Sequence, residues 1–152
     1  MDKQTFTTII QTKFKMVRIE AGYTQDTMAN TVGLSKKTLV QIEKERVLPN
    51  WTTCVSICAL FRDSDVLNTT FGCDPLEVIQ IISRHHCAYP NHDNTSDIYW
   101  VTLDSKSGHI LQSNKKSDLY RVLNEERQPI FGTAKKREAE TYFLRKTQSL
   151  FV

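Results

Sequence analysis

Residues 18–46 read RIEAGYTQDTMANTVGLSKKTLVQIEKER and carry the signals of two short helices separated by one glycine. Thr24 is a favoured helix N-cap residue, and Gln25–Val32 follows it with apolar side chains at helical spacing. The glycine that follows can end this helix, and Ser35 can cap the next one, which we expect to reach about Glu45. The stretch therefore predicts a helix, a tight turn and a second helix.

One face of the second helix carries side chains suited to DNA. At 100° per residue, five side chains fall within an arc of about 140°: Lys36, Lys37, Val40, Gln41 and Lys44. Thr38, Leu39 and Ile42 fall on the opposite side, which predicts a buried face. Lysine donates to guanine or phosphate, glutamine pairs with adenine through two hydrogen bonds, and the start of a recognition helix enters the major groove. The pattern favours DNA reading; a solvated polar face is the alternative.

The same stretch resembles the helix-turn-helix family of the phage lambda repressor and Cro, also called the xenobiotic response element type. The matching positions align without gaps: Ala21, Gly22, Thr24, Gln25, Met28, Ala29, Gly33, Leu34, Ser35, Thr38, Ile42, Glu43, Arg46 and Pro49. The likeness extends more loosely to Phe61. It implies a mainly α, five-helix DNA-binding domain over about residues 6–83, whose second helix crosses the DNA backbone and whose third reads bases.

The resemblance also implies roles for individual residues. Three fall at base-reading positions: Lys36, Lys37 and Gln41. Six fall where the family contacts phosphate: Gln25, Ser35, Thr38, Lys44, Arg46 and Asn50. Arg18 and Glu43 match a charged pair that ties the first helix to the third, and we interpret that pair as structural. Glu45 stands where the family usually has glycine, so the turn after the third helix is expected to differ.

Helical spacing of apolar residues predicts further helices on both sides of this stretch. We expect the first helix over about residues 5–20, a fourth over about 51–62 and a fifth that begins at Pro75, a favoured first helical residue. Residues 63–74 are polar and rich in turn formers, so a loop is expected there. The DNA-binding domain is expected to cover residues 1–84.

The composition changes after the fifth helix, which predicts a second domain. Residues 85–97 include the turn-rich run YPNHDNTSD and read as a linker. Ile98–Leu103 is β-branched and aromatic, and a short loop joins it to a second strand-like segment, as in an antiparallel hairpin. Residues 118–124 favour a strand or a helix, and Thr133 can cap a final amphipathic helix. We expect residues 98–152 to form a small α+β domain, an antiparallel hairpin or small sheet with a final helix.

Composition also limits the classes of function. The 152 residues are 39% apolar and 24% charged, as is usual for a globular chain. The first ten residues, MDKQTFTTII, lack the basic start and long apolar run that are typical of a signal peptide, and no apolar run reaches membrane-spanning length. We therefore expect a cytoplasmic protein without a membrane partner. A net charge of +3 permits DNA binding but does not by itself indicate it. A DNA-binding surface must therefore come from the local arrangement of positive side chains and not from the overall charge.

Signals of other chemistry are weak. The four cysteines, Cys54, Cys58, Cys73 and Cys87, read as free core thiols. The cluster of His85, His86, Cys87 and His92 fits no zinc spacing. We therefore expect no metal, no cofactor and no enzymatic activity. Lys135, Lys136 and Arg137 oppose the dipole of the last helix, so they can serve a polyanion or an acidic partner, or form a solvated basic turn.

These observations predict a transcriptional regulator. We expect the N-terminal domain to bind a double-stranded DNA operator as a homodimer, with two recognition helices in successive major grooves about 34 Å apart. Repression, including repression of its own promoter, is the expected outcome, and residues 98–152 would supply dimerisation or bind a protein partner. The alternative is a phage or mobile-element inhibitor of the anti-CRISPR or antitoxin type, whose helix-turn-helix domain autoregulates its operon.

Overall fold

The computed structural model describes residues 1–90 and 95–148. The chain forms two compact units, unit 1 (Met1–Tyr89) and unit 2 (Pro90–Val152), and the division lies within the predicted linker. Helices come first and an antiparallel sheet follows, so the predicted α+β composition is confirmed. In the part of the chain that is described, no helix is both long enough and apolar enough to cross a membrane.

Six helices form the described part of unit 1: α1 (Lys3–Glu20), α2 (Gln25–Val32), α3 (Lys36–Glu43), α4 (Trp51–Leu60), α5 (Asp65–Phe71) and α6 (Pro75–Arg84). The five-helix expectation was wrong, because α5 lies in the stretch predicted to be a loop. Ser64 caps α5, and the Glu20 carboxylate accepts hydrogen bonds from the Ser64 hydroxyl and from the backbone N–H of Val66. A contact with α1 thus stabilises a helix whose own sequence gives little sign of it.

A single apolar core joins the helices of unit 1. Its most buried members are Phe6, Ile10, Phe14, Val17, Met28, Ala29, Leu39, Ile42, Cys54, Ile57, Cys58 and Leu67. The Phe6 ring stacks on Phe71 at a centroid distance of 4.8 Å and meets Trp51 edge-on at 5.7 Å. Because α3 contributes Leu39 and Ile42 to this core, its rotation about its own axis is fixed by burial.

Unit 2 is a four-stranded antiparallel sheet covered on one face by a helix. The strands are β1 (Trp100–Lys106), β2 (His109–Asn114), β3 (Tyr120–Leu123) and β4 (Pro129–Thr133), in that spatial order, and the helix is α7 (Lys136–Gln148). A turn of 3₁₀ helix over Thr95–Tyr99 precedes β1. Leu111 and Val122 of the sheet pack against Ala139 and Phe143 of α7.

One expectation for unit 2 is confirmed and one needs correction. Of the two predicted arrangements, a hairpin or a small sheet, the small sheet is present, and the segment that favoured a strand or a helix forms β3, which pairs with β2. Thr133 belongs to β4, and α7 begins at Lys136. The Thr133 hydroxyl still accepts from the backbone N–H of Lys135 and donates to Glu138. The expected end of the helix near Leu150 lies outside the described residues.

Candidate nucleic-acid interface

The outward face of α3 carries the residues predicted to read bases. Lys36 and Lys37 are exposed, and Gln41 is half-buried one turn further on. Leu39 and Ile42 on the opposite side are almost fully buried, as predicted, while Thr38 is exposed and does not belong to the buried face. The predicted end at Glu45 was two residues too far, because the last helical residue is Glu43.

The connection between α2 and α3 is fixed by local hydrogen bonds. Gly33 adopts a left-handed conformation with a φ of 85°, and its N–H and that of Leu34 both donate to the Ala29 carbonyl at 2.9 and 2.8 Å. Ser35 is the N-cap of α3, as predicted, and its Oγ accepts from the backbone N–H of Thr38 at 3.1 Å. The Ser35 and Thr38 hydroxyls also lie 2.8 Å apart at the exposed start of the helix.

Lys36 has an acidic neighbour that the sequence analysis did not single out. Its Nζ lies 2.8 Å from Oδ2 of Asp26, in the first turn of α2. Both side chains are more than half exposed, so this pair contributes less than about 1 kcal/mol. An acid in the first turn of a helix is also explained by the helix dipole, so its residue type and position alone do not predict the contact with Lys36. The ammonium of Lys36 can therefore exchange this carboxylate for another anion at low cost.

The Glu43 carboxylate joins three helices. Arg18 of α1 donates from Nε to Oε1 at 2.5 Å and from Nη2 to Oε2 at 3.2 Å, and Gln25 of α2 donates from Nε2 to Oε2 at 3.0 Å. Arg18 Nη1 also donates to the Tyr23 carbonyl at 3.0 Å. The side chains of Arg18 and Glu43 are 13% and 4% exposed. These bonds set the position of α3 relative to α1 and α2.

The pKa of Glu43 reports the balance at this carboxylate. Burial raises the pKa of Glu43, because it disfavours the charged form. The hydrogen bonds from Arg18 and Gln25, together with the positive charge of Arg18, lower this pKa by more than burial raises it. The pKa therefore lies below the ordinary value of 4.5. Glu43 is therefore ionised at neutral pH. Gln25 donates one of its two amide hydrogens to this carboxylate, and the other remains available.

The segment from α3 to α4 presents the remaining predicted phosphate contacts. Lys44 and Arg46 are exposed. Glu45 between them has a φ of 57°, a left-handed backbone conformation that favours glycine. Asn50 is the N-cap of α4, and its Oδ1 accepts from the backbone N–H of Thr53 at 2.8 Å, which leaves its amide hydrogens as donors.

The cysteines and histidines form no other site among the described residues. Cys54 and Cys58 are buried in the core, and burial raises the pKa of Cys58 to about 12, so its thiol is unreactive. All four cysteines are free, but the core assignment was wrong for Cys73, which is exposed, and only partly right for Cys87. No three metal-ligating side chains come together within the described ranges. His92 lies outside them.

Comparisons with protein-family models, with curated proteins and with solved structures find no match to this chain.

Proposed function

We propose that this protein is a sequence-specific DNA-binding transcriptional regulator that uses α2 and α3 as a helix-turn-helix. The observation that carries the proposal is the division of α3 into two faces. Leu39 and Ile42 anchor it in the core, while Lys36, Lys37 and Gln41 stand on the exposed side. A helix fixed in this way can present its polar side chains to DNA without losing its packing.

The dimensions of α3 suit the major groove. An α-helix with its side chains is about 10–12 Å in diameter, and the major groove is about 12 Å wide, so the groove admits a helix such as α3. Lys37 and Gln41 are the proposed base readers, with lysine donating to guanine and glutamine pairing with adenine. Lys36 joins them by exchanging Asp26 for the DNA.

Phosphate contacts would surround this helix. Gln25 is held by Glu43 and retains one amide hydrogen for a phosphate oxygen at the start of α2. The exposed hydroxyls of Ser35 and Thr38 are further donors at the start of α3. On the far side, three donors come from the segment between α3 and α4: Lys44, Arg46 and the Asn50 amide.

The proposed regulator binds as a homodimer and represses. Two copies would place their α3 helices in successive major grooves about 34 Å apart on a palindromic operator. Bound at a promoter, including its own, such a dimer would block access of the polymerase without catalysis. Unit 2 would supply dimerisation or bind a protein partner.

Binding to DNA from upstream of its own gene tests the proposal, with random DNA of the same length as competitor, at two salt concentrations. Tighter binding to the promoter fragment that persists at the higher salt is the expected result, because base contacts depend on salt less than phosphate contacts do. The proposed function would be contradicted if the protein bound both fragments with equal affinity and if both affinities fell steeply at the higher salt concentration.

A further inference from the structure

A groove in unit 2 runs between β4 and α7, and we name it the β4–α7 groove. It has a volume of about 490 Å³, is open to solvent, and its lining includes Phe131, Lys135, Arg137, Glu138, Tyr142 and Arg145. The Phe131 and Tyr142 rings stack at 4.3 Å with an interplanar angle of 6° and form its apolar floor. The two arginines lie on one flank of α7, eight residues or about 12 Å apart along the helix.

The charge of this groove is positive. Its one acidic lining residue, Glu138, accepts from the Thr133 hydroxyl and pairs with Lys135 at 3.0 Å. Within the described residues, neither Arg137 nor Arg145 has a carboxylate within ion-pair distance, and both are exposed. The other nearby acid, Glu140, pairs with Lys136 at 3.8 Å. In the part of the chain that is described, two arginines therefore line the groove with no acid at ion-pair distance.

We propose that the β4–α7 groove binds the sugar–phosphate backbone of DNA that flanks the operator. The proposal rests on the proposed function. Guanidinium groups make paired hydrogen bonds to phosphate, and their spacing along α7 fits a continuous polyanion. An open groove accepts a passing chain, and the apolar floor accepts deoxyribose. Because both units belong to one chain, operator binding by unit 1 raises the local concentration of flanking DNA around unit 2.

The test uses the full chain and two duplexes. A minimal operator, selected from random duplexes for tightest binding, is compared with the same operator extended by about 15 base pairs on each side. Affinity is measured against salt concentration for the wild type, for Arg137→Ala/Arg145→Ala and for Lys106→Ala/Lys115→Ala. The lysine variant removes the same charge from exposed positions of unit 2 outside the groove.

The expected result is a salt slope on the extended duplex that is smaller by about 1.8 in the arginine variant than in the wild type, or 0.9 for each lost phosphate contact. The lysine variant keeps the slope, and all three proteins bind the minimal operator alike. Circular dichroism checks that the variants fold. Arg137→Lys/Arg145→Lys retains both charges and is expected to retain most of the slope.

Three results would overturn the proposal. In the first, the arginine and lysine variants have the same salt slopes on both duplexes. In the second, the arginine variant loses as much salt slope on the minimal operator as on the extended duplex, which would place the contact within the operator. In the third, the wild type binds a poly-glutamate peptide and the arginine variant does not, while the arginine variant keeps the wild-type salt slope on the extended duplex. That result would make an acidic partner the occupant of the groove. Failure to select any preferred duplex would instead contradict the proposed function of unit 1, and with it the flanking contact.

Discussion

Arg18 of α1 and Glu43 of α3 form an ion pair through two hydrogen bonds, and both side chains are largely removed from solvent. Taking two charges out of water is costly, so such a pair adds little over two well-packed apolar residues. Removing one partner is different, because it leaves the other charge buried and unpaired. The pair therefore makes the placement of α3 sensitive to single substitutions.

Arg18→Met is expected to lower the free energy of unfolding of unit 1 by about 3–5 kcal/mol, since Glu43 loses its charged partner. Urea unfolding in a Trp100→Phe background measures this, because Trp51 of unit 1 is then the one tryptophan left. Arg62→Met is the matched control. The Arg62–Asp74 pair is as short, at 2.6 Å, but Arg62 is 63% exposed, so its loss should cost less than about 1 kcal/mol. Equal losses would argue against the importance of burial.

The lowered pKa of Glu43 predicts a dependence of stability on pH. A carboxylate whose pKa is lower in the folded than in the unfolded state stabilises the fold when the pH is above its unfolded-state pKa, here about 4.5. That contribution disappears as the pH falls through the folded pKa. The wild type should therefore be more stable than Glu43→Gln at pH 7, and the difference should shrink below pH 4.5. Urea unfolding in the same Trp100→Phe background, followed by Trp51 fluorescence at pH 7, 4 and 3, measures this difference. A difference that stays constant with pH would contradict the prediction.

Glu45 offers a stabilising substitution. Its left-handed backbone costs a residue with a side chain about 1 kcal/mol relative to glycine. Glu45→Gly should raise the free energy of unfolding of unit 1 by about that amount, whereas Glu45→Ala keeps the strain and should not. Both remove a negative charge beside Lys44 and Arg46, so both should tighten DNA binding. Equal stabilisation by the two variants would show that charge, rather than backbone conformation, is responsible.

Signals that lie close together in the sequence predicted α2 and α3 well. Thr24, Gly33 and Ser35 mark their ends, and each acts within a few residues. The spacing of Leu39 and Ile42 likewise gave the orientation of α3. Local signals of this kind are read from residue type and spacing alone.

Elements that depend on distant residues were harder to predict. The capping of α5 involves Glu20, which is 44 residues from Ser64, so the local sequence there looked like a loop. The sequence of β3 fits a strand or a helix equally well, and its pairing with β2 and the burial of Val122 make it a strand. At the site, the bond from Gln25 to Glu43 spans 18 residues and gives Gln25 a second, structural contact that its proposed phosphate role does not include.

Gln41 and Lys44 of the α3 region should separate base reading from phosphate binding. Gln41→Ala is expected to cost about 1–3 kcal/mol on the operator and to relax selectivity at one base pair, because it removes a paired contact to a base. Lys44→Ala should weaken binding to all sequences alike and reduce the salt slope by about 0.9. Lys13→Ala, beside α5, is the control for charge loss within unit 1. Affinities for operator and random duplexes decide, and equal losses on both for Gln41→Ala would refute its base-reading role.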